Sequence, residues 1–239
     1  MSSALIPTSG SRIVYPDTDA LPMAENTLQF EWIVTIKGGL DHLFDGKADV
    51  FVAGDLFWYP VEGHPEIRVA PDAMVAFGRP KGHRLSYLQW EEGDIAPQVV
   101  FEVLSPGNRA GEMIRKFEFY QQYGVEEYYI YDPDPQRLEL SGFIRRDGKL
   151  AEIPVMKGRR SPRLGITFEI TDAGLRILRP DGQPFLTYEE LARREETKSI
   201  LLEQERHRAE QERHRADQAE AQLDQLRQRL RDLGHDPTR

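Results

Sequence analysis

Three side chains, far apart in the chain, have the types that could do chemistry together: Asp72, Glu102 and Lys116. Glu102 lies inside Val99-Val100-Phe101-Glu102-Val103-Leu104, an unbroken apolar run rich in β-branched residues. Such a run reads as a strand buried on both faces. A carboxylate there costs several kcal/mol unless it is protonated, paired or bound to a cation. Asp72 follows Pro71, which cannot donate to a sheet ladder. It therefore falls at the entry of a strand from about Ala73 to Phe77, with side chains 72, 74 and 76 on one face. Lys116 belongs to a helical segment whose apolar stripe is Met113, Phe117 and Tyr120. It stands about 40° from Tyr120 around the axis, on the shoulder of that stripe, and can lean toward the sheet. Two carboxylates with some water suit Mg²⁺ or Mn²⁺. A nearby amine would help to position or deprotonate an attacking water, or offset the negative charge that develops on a phosphorane.

The elements that must position these groups are legible around them. Ser105-Pro106-Gly107 ends the apolar strand, and Asn108 is placed to cap a helix through about Tyr123, stopped by Gly124. A second apolar strand, Glu127 to Asp132, follows at once. Strand, helix and strand of these lengths make a right-handed crossover with parallel strands. The expectation on which the site stands is that the two acids meet at a sheet edge. Upstream, Leu28, Trp32, Ile36, Leu40 and Leu43 give Asn26 to Phe44 a helical period, interrupted by Gly38-Gly39. Ala48 to Ala53 and Leu56 to Tyr59 read as strands, with Gly54-Asp55 between them as a hairpin signal. Gly78 to Asp94 is polar and reads as a long loop. Downstream, Leu138 to Ile144 and Lys149 to Val155 form a hairpin around Arg146-Asp147-Gly148, and two short strands follow at Ile166 to Ile170 and Leu175 to Leu178.

From about Thr187 the composition changes to Glu, Arg, Gln and Ala, with neither Gly nor Pro before Gly234. This predicts one helix of about 47 residues, ~70 Å long. Ala216, Ala219, Leu223, Leu226, Leu230 and Leu233 fall at alternating steps of three and four, a heptad seam. Upstream the same seam carries Leu202, Ala209 and Ala216 but also Glu205 and Glu212, so it is weaker there. A leucine seam needs a partner, and the expectation is a homodimer through this coiled coil. A solvated charged helix is the bland alternative.

The formal charge is −9. Residues 189–239 hold 13 acids and 11 bases, which leaves −7 on the rest. Bulk electrostatics therefore oppose nucleic-acid binding, and any positive surface for DNA must be local. Arg79, Lys81 and Arg84, or Lys157, Arg159 and Arg160, could supply it. With no cysteine, neither a disulfide nor a thiolate metal site is available. No stretch approaches membrane-spanning length and no secretory signal is visible, so a cytoplasmic location is expected.

Pro71-Asp72, the run VVFEVLSPGNR (99–109), Lys116 with Tyr120 after it, and GVEEYYIYDPD (124–134) together resemble the PD-(D/E)xK nuclease superfamily. They resemble more closely the bacterial restriction-endonuclease family called Uma-two, over roughly Ala48 to Asp134. The resemblance implies an α/β fold with a restriction-endonuclease-like mixed sheet flanked by helices, and Mg²⁺-dependent cleavage of phosphodiester bonds in DNA. Asp72, Glu102 and the Val103 carbonyl would bind the metal, with Lys116 as the third catalytic group. In the common pattern the lysine lies two residues after the acid, a position held here by Leu104, and the resemblance moves it to Lys116. A Tyr-Glu-Leu…Asp-Gly-Glu segment of many relatives is missing, and Glu31 is the stand-in for an extra acid. The expected organisation is an N-terminal arm over 1–24, a nuclease-like domain over 25–186 and a coiled coil over 187–239. The rival reading is a non-catalytic scaffold working through its coiled coil. In bland terms Glu102 pairs with an arginine, Asp72 only starts a strand, and Lys116 is an ordinary helix lysine. The six histidines read as solvated.

Overall fold

The computed structural model describes residues 13–17, 26–108, 110–171 and 174–232. The first helix, α1 (Thr27–Leu43), begins at Asn26, whose side chain accepts from the Gln29 amide at 2.8 Å and satisfies one otherwise unpartnered donor of the first turn. Its buried stripe includes Ile33, Ile36 and Leu40. Then come β1 (Val50–Ala53), β2 (Trp58–Tyr59), β3 (Ala73–Phe77), β4 (Tyr87–Leu88) and β5 (Val99–Val103). The helix α2 (Ala110–Gln122) leads to β6 (Glu127–Asp132), β7 (Glu139–Arg146) and β8 (Lys149–Glu152). Three further strands, β9 (Arg159–Arg160), β10 (Thr167–Thr171) and β11 (Gly174–Leu178), precede the last helix, α3 (Tyr188–Asp232).

Six strands form one mixed sheet in the order β1-β3-β5-β6-β7-β8. The crossover through α2 makes β5 and β6 parallel, and the other neighbours are antiparallel. Strand alternation then divides the core in two. Val75, Val99, Phe101 and Tyr129 face α1 and the three-stranded sheet β11-β10-β9, meeting Ile36 and Phe168. Met74, Val100 and Tyr128 face the other way, toward Tyr120 of α2 and toward Trp58 and Tyr87 of the β2-β4 pair. Every residue of β5 is buried, as an unbroken apolar run requires. The tight β7-β8 turn is made by Asp147 and Gly148, both at positive φ (48° and 81°).

Three local expectations are corrected. Gly54-Asp55 makes no hairpin: β1 pairs with β3, and β2 pairs in parallel with β4. Either favoured two-residue hairpin turn needs positive φ at its first residue, whereas here Gly54 lacks it and Asp55 has it (47°). The Asp55 amide instead donates to the Pro71 carbonyl, and the chain leaves the sheet so that Trp58 enters the α2-side core. The segment 78–94 is not an open loop, because it holds β4 and a 3-10 turn, Gln89–Glu92. Asn108 turns back into its own loop, accepting from the Ser105 amide at 2.6 Å and hydroxyl at 3.2 Å.

Of the N-terminal arm, residues 13–17 are described and lie against the domain. The Tyr15 ring meets Tyr59 and Trp90, and the Pro16 carbonyl accepts from the Tyr59 hydroxyl. The chain divides after Thr187 into two units. The second contains α3, 45 residues long, in which no described residue is buried. Among the described residues no helix is long and apolar enough to cross a membrane.

The two glycines in the middle of α1 have different reasons to be there. A Cβ on Gly39 would lie 2.2 Å from the Phe185 ring, whereas one on Gly38 would meet nothing within 4 Å. Gly39→Ala is expected to cost about 1–3 kcal/mol through overpacking despite alanine's better helix propensity. Gly38→Ala should stabilise by about 0.5–1 kcal/mol. Urea denaturation of the two variants checks the opposite signs.

Candidate functional site

The antiparallel register Ala73↔Phe101 brings residue 72, one step before β3, beside residue 102 in β5. Alternation sends both side chains to the α2 face, the face of Met74 and Val100. The Val103 amide donates to Asp72 Oδ2 at 2.6 Å, which fixes one carboxylate oxygen. Because β3 and β5 are interior strands, the acids meet at the end of two neighbouring strands, not at a sheet edge.

Glu102 is only 3 % exposed. Its Oε2 accepts from Lys116 Nζ at 2.7 Å and its Oε1 from the Tyr120 hydroxyl at 2.5 Å. Lys116 and Tyr120 are four residues apart, hence on one face of α2, so a single helix delivers both donors. Tyr120 is fully buried, with its ring parallel to that of Trp58 and edge-on to Tyr128. The aromatic core thus sets where its hydroxyl sits. The partner of Glu102 is a lysine, and the arginine pairing considered for it does not occur.

Two carboxylates face one ammonium here. Burial, and then the negative charge of Glu102, push the Asp72 carboxyl well above its ordinary range, against the pull of Lys116 and the Val103 amide. Asp55 adds a third negative charge that acts in the same direction. For Lys116 burial opposes the charged form, but the two carboxylates outweigh it and its pKa is raised. It is therefore held as an ammonium, which suits charge stabilisation and not the deprotonation of water. Tyr120 and Tyr128 are both pushed up, first by burial and then by Glu102, and stay neutral phenols.

The donors available to a cation are all oxygens. Among the described residues no group of three or more His, Cys, Asp and Glu gathers as a metal site. A cation would rest on Asp72, Glu102 and a main-chain carbonyl. The Val103 carbonyl accepts from Gln29 Nε2 at 2.8 Å and has a second lone pair. Two carboxylates, a carbonyl and water are a set that Mg²⁺ or Mn²⁺ accepts. The hydroxyl of Tyr128, buried within reach of both acids' charge, has no hydrogen-bond partner among the described residues. Buried hydroxyls rarely go unsatisfied, and a hydrated cation would supply the missing acceptor in its water shell. The residues present fit such an ion.

Some contributors were hidden in the sequence. From α1 it is Gln29, and not the exposed Glu31, that reaches the site. Tyr120 was read as a member of the apolar stripe and of the family motif with Lys116, and the role the sequence did not give it is that of a donor to Glu102. Asp55 and Tyr128 gave none, since a turn and an aromatic strand position account for them.

The first of the two basic patches is committed internally. Arg79 and Arg84 both bind the buried Glu92, at 2.8 and 2.5 Å, and Lys81 donates to the Asp45 carbonyl. Of the second, Lys157 and Arg160 are exposed while Arg159 is half-buried.

Residues 8–175 match the profile of a family described as "Uma2: Putative restriction endonuclease". Among solved structures, the chain is similar to a crystal structure described as "a putative nuclease belonging to DUF820" from Anabaena variabilis ATCC 29413. The identity is 14 %, the TM-score 0.39, and the match covers 57 % of this chain and 72 % of that one. No curated protein matches the chain.

Proposed function

Since the chain belongs to the Uma2 family of restriction-endonuclease-like proteins, we propose that it is a metal-dependent endonuclease that hydrolyses phosphodiester bonds, with DNA as substrate. The observation that carries this reading is the convergence of Asp72, Glu102 and Lys116, from three separate elements, on one buried point. Asp72, Glu102 and the Val103 carbonyl hold Mg²⁺ or Mn²⁺. Such an ion supplies a polarised phosphoryl oxygen and a water of lowered pKa.

The chain's own groups do the rest. The Val103 amide orients Asp72, and the Tyr120 hydroxyl orients Glu102. The Lys116 ammonium, held beside Glu102, would stabilise negative charge that grows on the phosphoryl group in a site of low dielectric. Of the second basic patch, Lys157 and Arg160 are exposed and would meet the phosphate backbone, Arg160 through the guanidinium nitrogens not donated to the Gly165 carbonyl.

The commitment of Arg79 and Arg84 to Glu92, together with the acidic balance, favours a second reading, a nuclease-like scaffold that cuts nothing. Calorimetric titration with Mn²⁺ separates the two. The wild-type chain should bind the ion, and Asp72→Asn should lose that binding while keeping the fold, as read by circular dichroism. Equal Mn²⁺ binding by both proteins would remove Asp72 from the site, and an absence of binding by either would favour the scaffold.

A further inference from the structure

We infer that Pro71 is a positioning residue for the cation: bringing no N–H to the mouth of the β3-β5 ladder, it keeps the Val103 carbonyl available to the site. The inference rests on the metal reading above and deepens it. The Leu104 amide donates to the Tyr131 carbonyl of β6 at 2.8 Å. Main-chain groups alternate in direction along a strand, so the amide and carbonyl of Val103 point the other way, toward β3. The register Ala73↔Phe101, carried two residues on, sets Pro71 opposite Val103. In a regular antiparallel ladder such a pair exchanges two bonds, each N–H going to the other residue's carbonyl. This pair makes neither, and pairing of β3 with β5 stops at Ala73 and Phe101.

Each of the freed groups has been given other work. Proline has no N–H to offer the Val103 carbonyl. The Pro71 carbonyl accepts from the Asp55 amide at 3.0 Å, and the Val103 amide goes to Asp72 Oδ2 at 2.6 Å. A main-chain carbonyl has two lone pairs. Gln29 Nε2, reaching across from α1, takes one of those on Val103 at 2.8 Å. Any other residue type at position 71 would bring an N–H that faces the second. Pro71 is buried, so an N–H placed there must find a protein acceptor, and the register makes the Val103 carbonyl that acceptor. With both lone pairs taken, the carbonyl would have none left for an ion. The missing hydrogen therefore does for Val103 what the Val103 amide does for Asp72: it turns a group of the ladder toward the site.

Pro71→Ala supplies the N–H with the least other change, and Pro71→Val supplies it on a side chain suited to a strand. Both are made in the full chain. Amide exchange followed by NMR in the metal-free protein should show the new amide at position 71 protected by about 10²-fold or more, as a ladder amide is. Calorimetric titration with Mn²⁺ should show affinity weakened by about 10–100-fold, the usual cost of disturbing a group that orients a metal ligand. The metal-free thermal transition should stay within a few degrees of wild type, because the bond gained offsets the rigidity lost with proline. A proline that only stiffens the strand entry gives the opposite result, a lower transition with unchanged Mn²⁺ affinity, and that result overturns the proposal. A protected amide with unchanged affinity also overturns it, and leaves Asp72 and Glu102 standing as the ion's site. Fast exchange at position 71, or loss of the fold in both variants, does the same. No Mn²⁺ binding by the wild-type chain would overturn the metal reading itself, and this inference with it.

Discussion

Glu102→Gln is expected to lower Mg²⁺-dependent nicking of supercoiled plasmid by at least ~10²-fold while the domain stays folded. The substitution preserves shape, so the hole in the α2-side core remains filled. One carbonyl oxygen persists to accept from Tyr120 or Lys116, whose bonds at 2.5 and 2.7 Å now hold the carboxylate. What disappears is the charge. Asp72, no longer beside a second carboxylate, loses the neighbour that helped to push its pKa up. The variant should therefore keep its thermal transition within a few degrees of wild type and lose metal affinity and cleavage together. Undiminished nicking by Glu102→Gln would show that this carboxylate takes no part in the reaction.

Lys116→Met should have the largest effect on stability. The methionine keeps most of the aliphatic packing, and the lysine side chain is only 18 % exposed, so the change mainly removes a charge from a buried pair. Breaking such a pair costs about 3–5 kcal/mol, because the remaining charge is left uncompensated. The pH dependence follows from Asp72. Its folded pKa is raised above the ordinary value of 3.8. Stability from this group is then fully present below 3.8 and is lost as pH rises through the raised value. Without Lys116, which pulls that pKa down, the loss continues to higher pH. Urea denaturation in the absence of divalent ions should show the variant close to wild type near pH 4 and far below it near pH 8, with Mg²⁺ restoring part of the difference. An equal penalty at both pH values would mean that Lys116 acts through packing alone. The raised pKa of Lys116 itself matters only above its ordinary value of 10.5, outside this range.

Period and punctuation made most of the site's scaffold legible. Val99 to Leu104 reads as a strand covered on both faces, and the spacing of Met113, Phe117 and Tyr120 reads as a helix lying on it. Their order requires β5 and β6 to be parallel, and Pro71 fixes where β3 begins. These are local facts of chain geometry, and together with the resemblance carried by the surrounding motifs they let Asp72, Glu102 and Lys116 be named before any fold was known. The Gly54-Asp55 turn was misread because dipeptide signals do not record the demand of a distant core, in this case the burial of Trp58.

What the sequence determined by itself was therefore the elements around the site, β3, β5, α2 and β6, and the three chemical groups they carry. Only the tertiary structure decided what those groups are to one another. The antiparallel register of β3 and β5 puts Asp72 on the Val103 amide, and burial behind Tyr120 and Trp58 makes two carboxylates and one ammonium share a single balance of charge. Strand pairing between residues thirty apart, and the low dielectric it creates, are collective properties of the folded chain. No local pattern encodes them, and so the sequence names the charges while the fold sets their protonation.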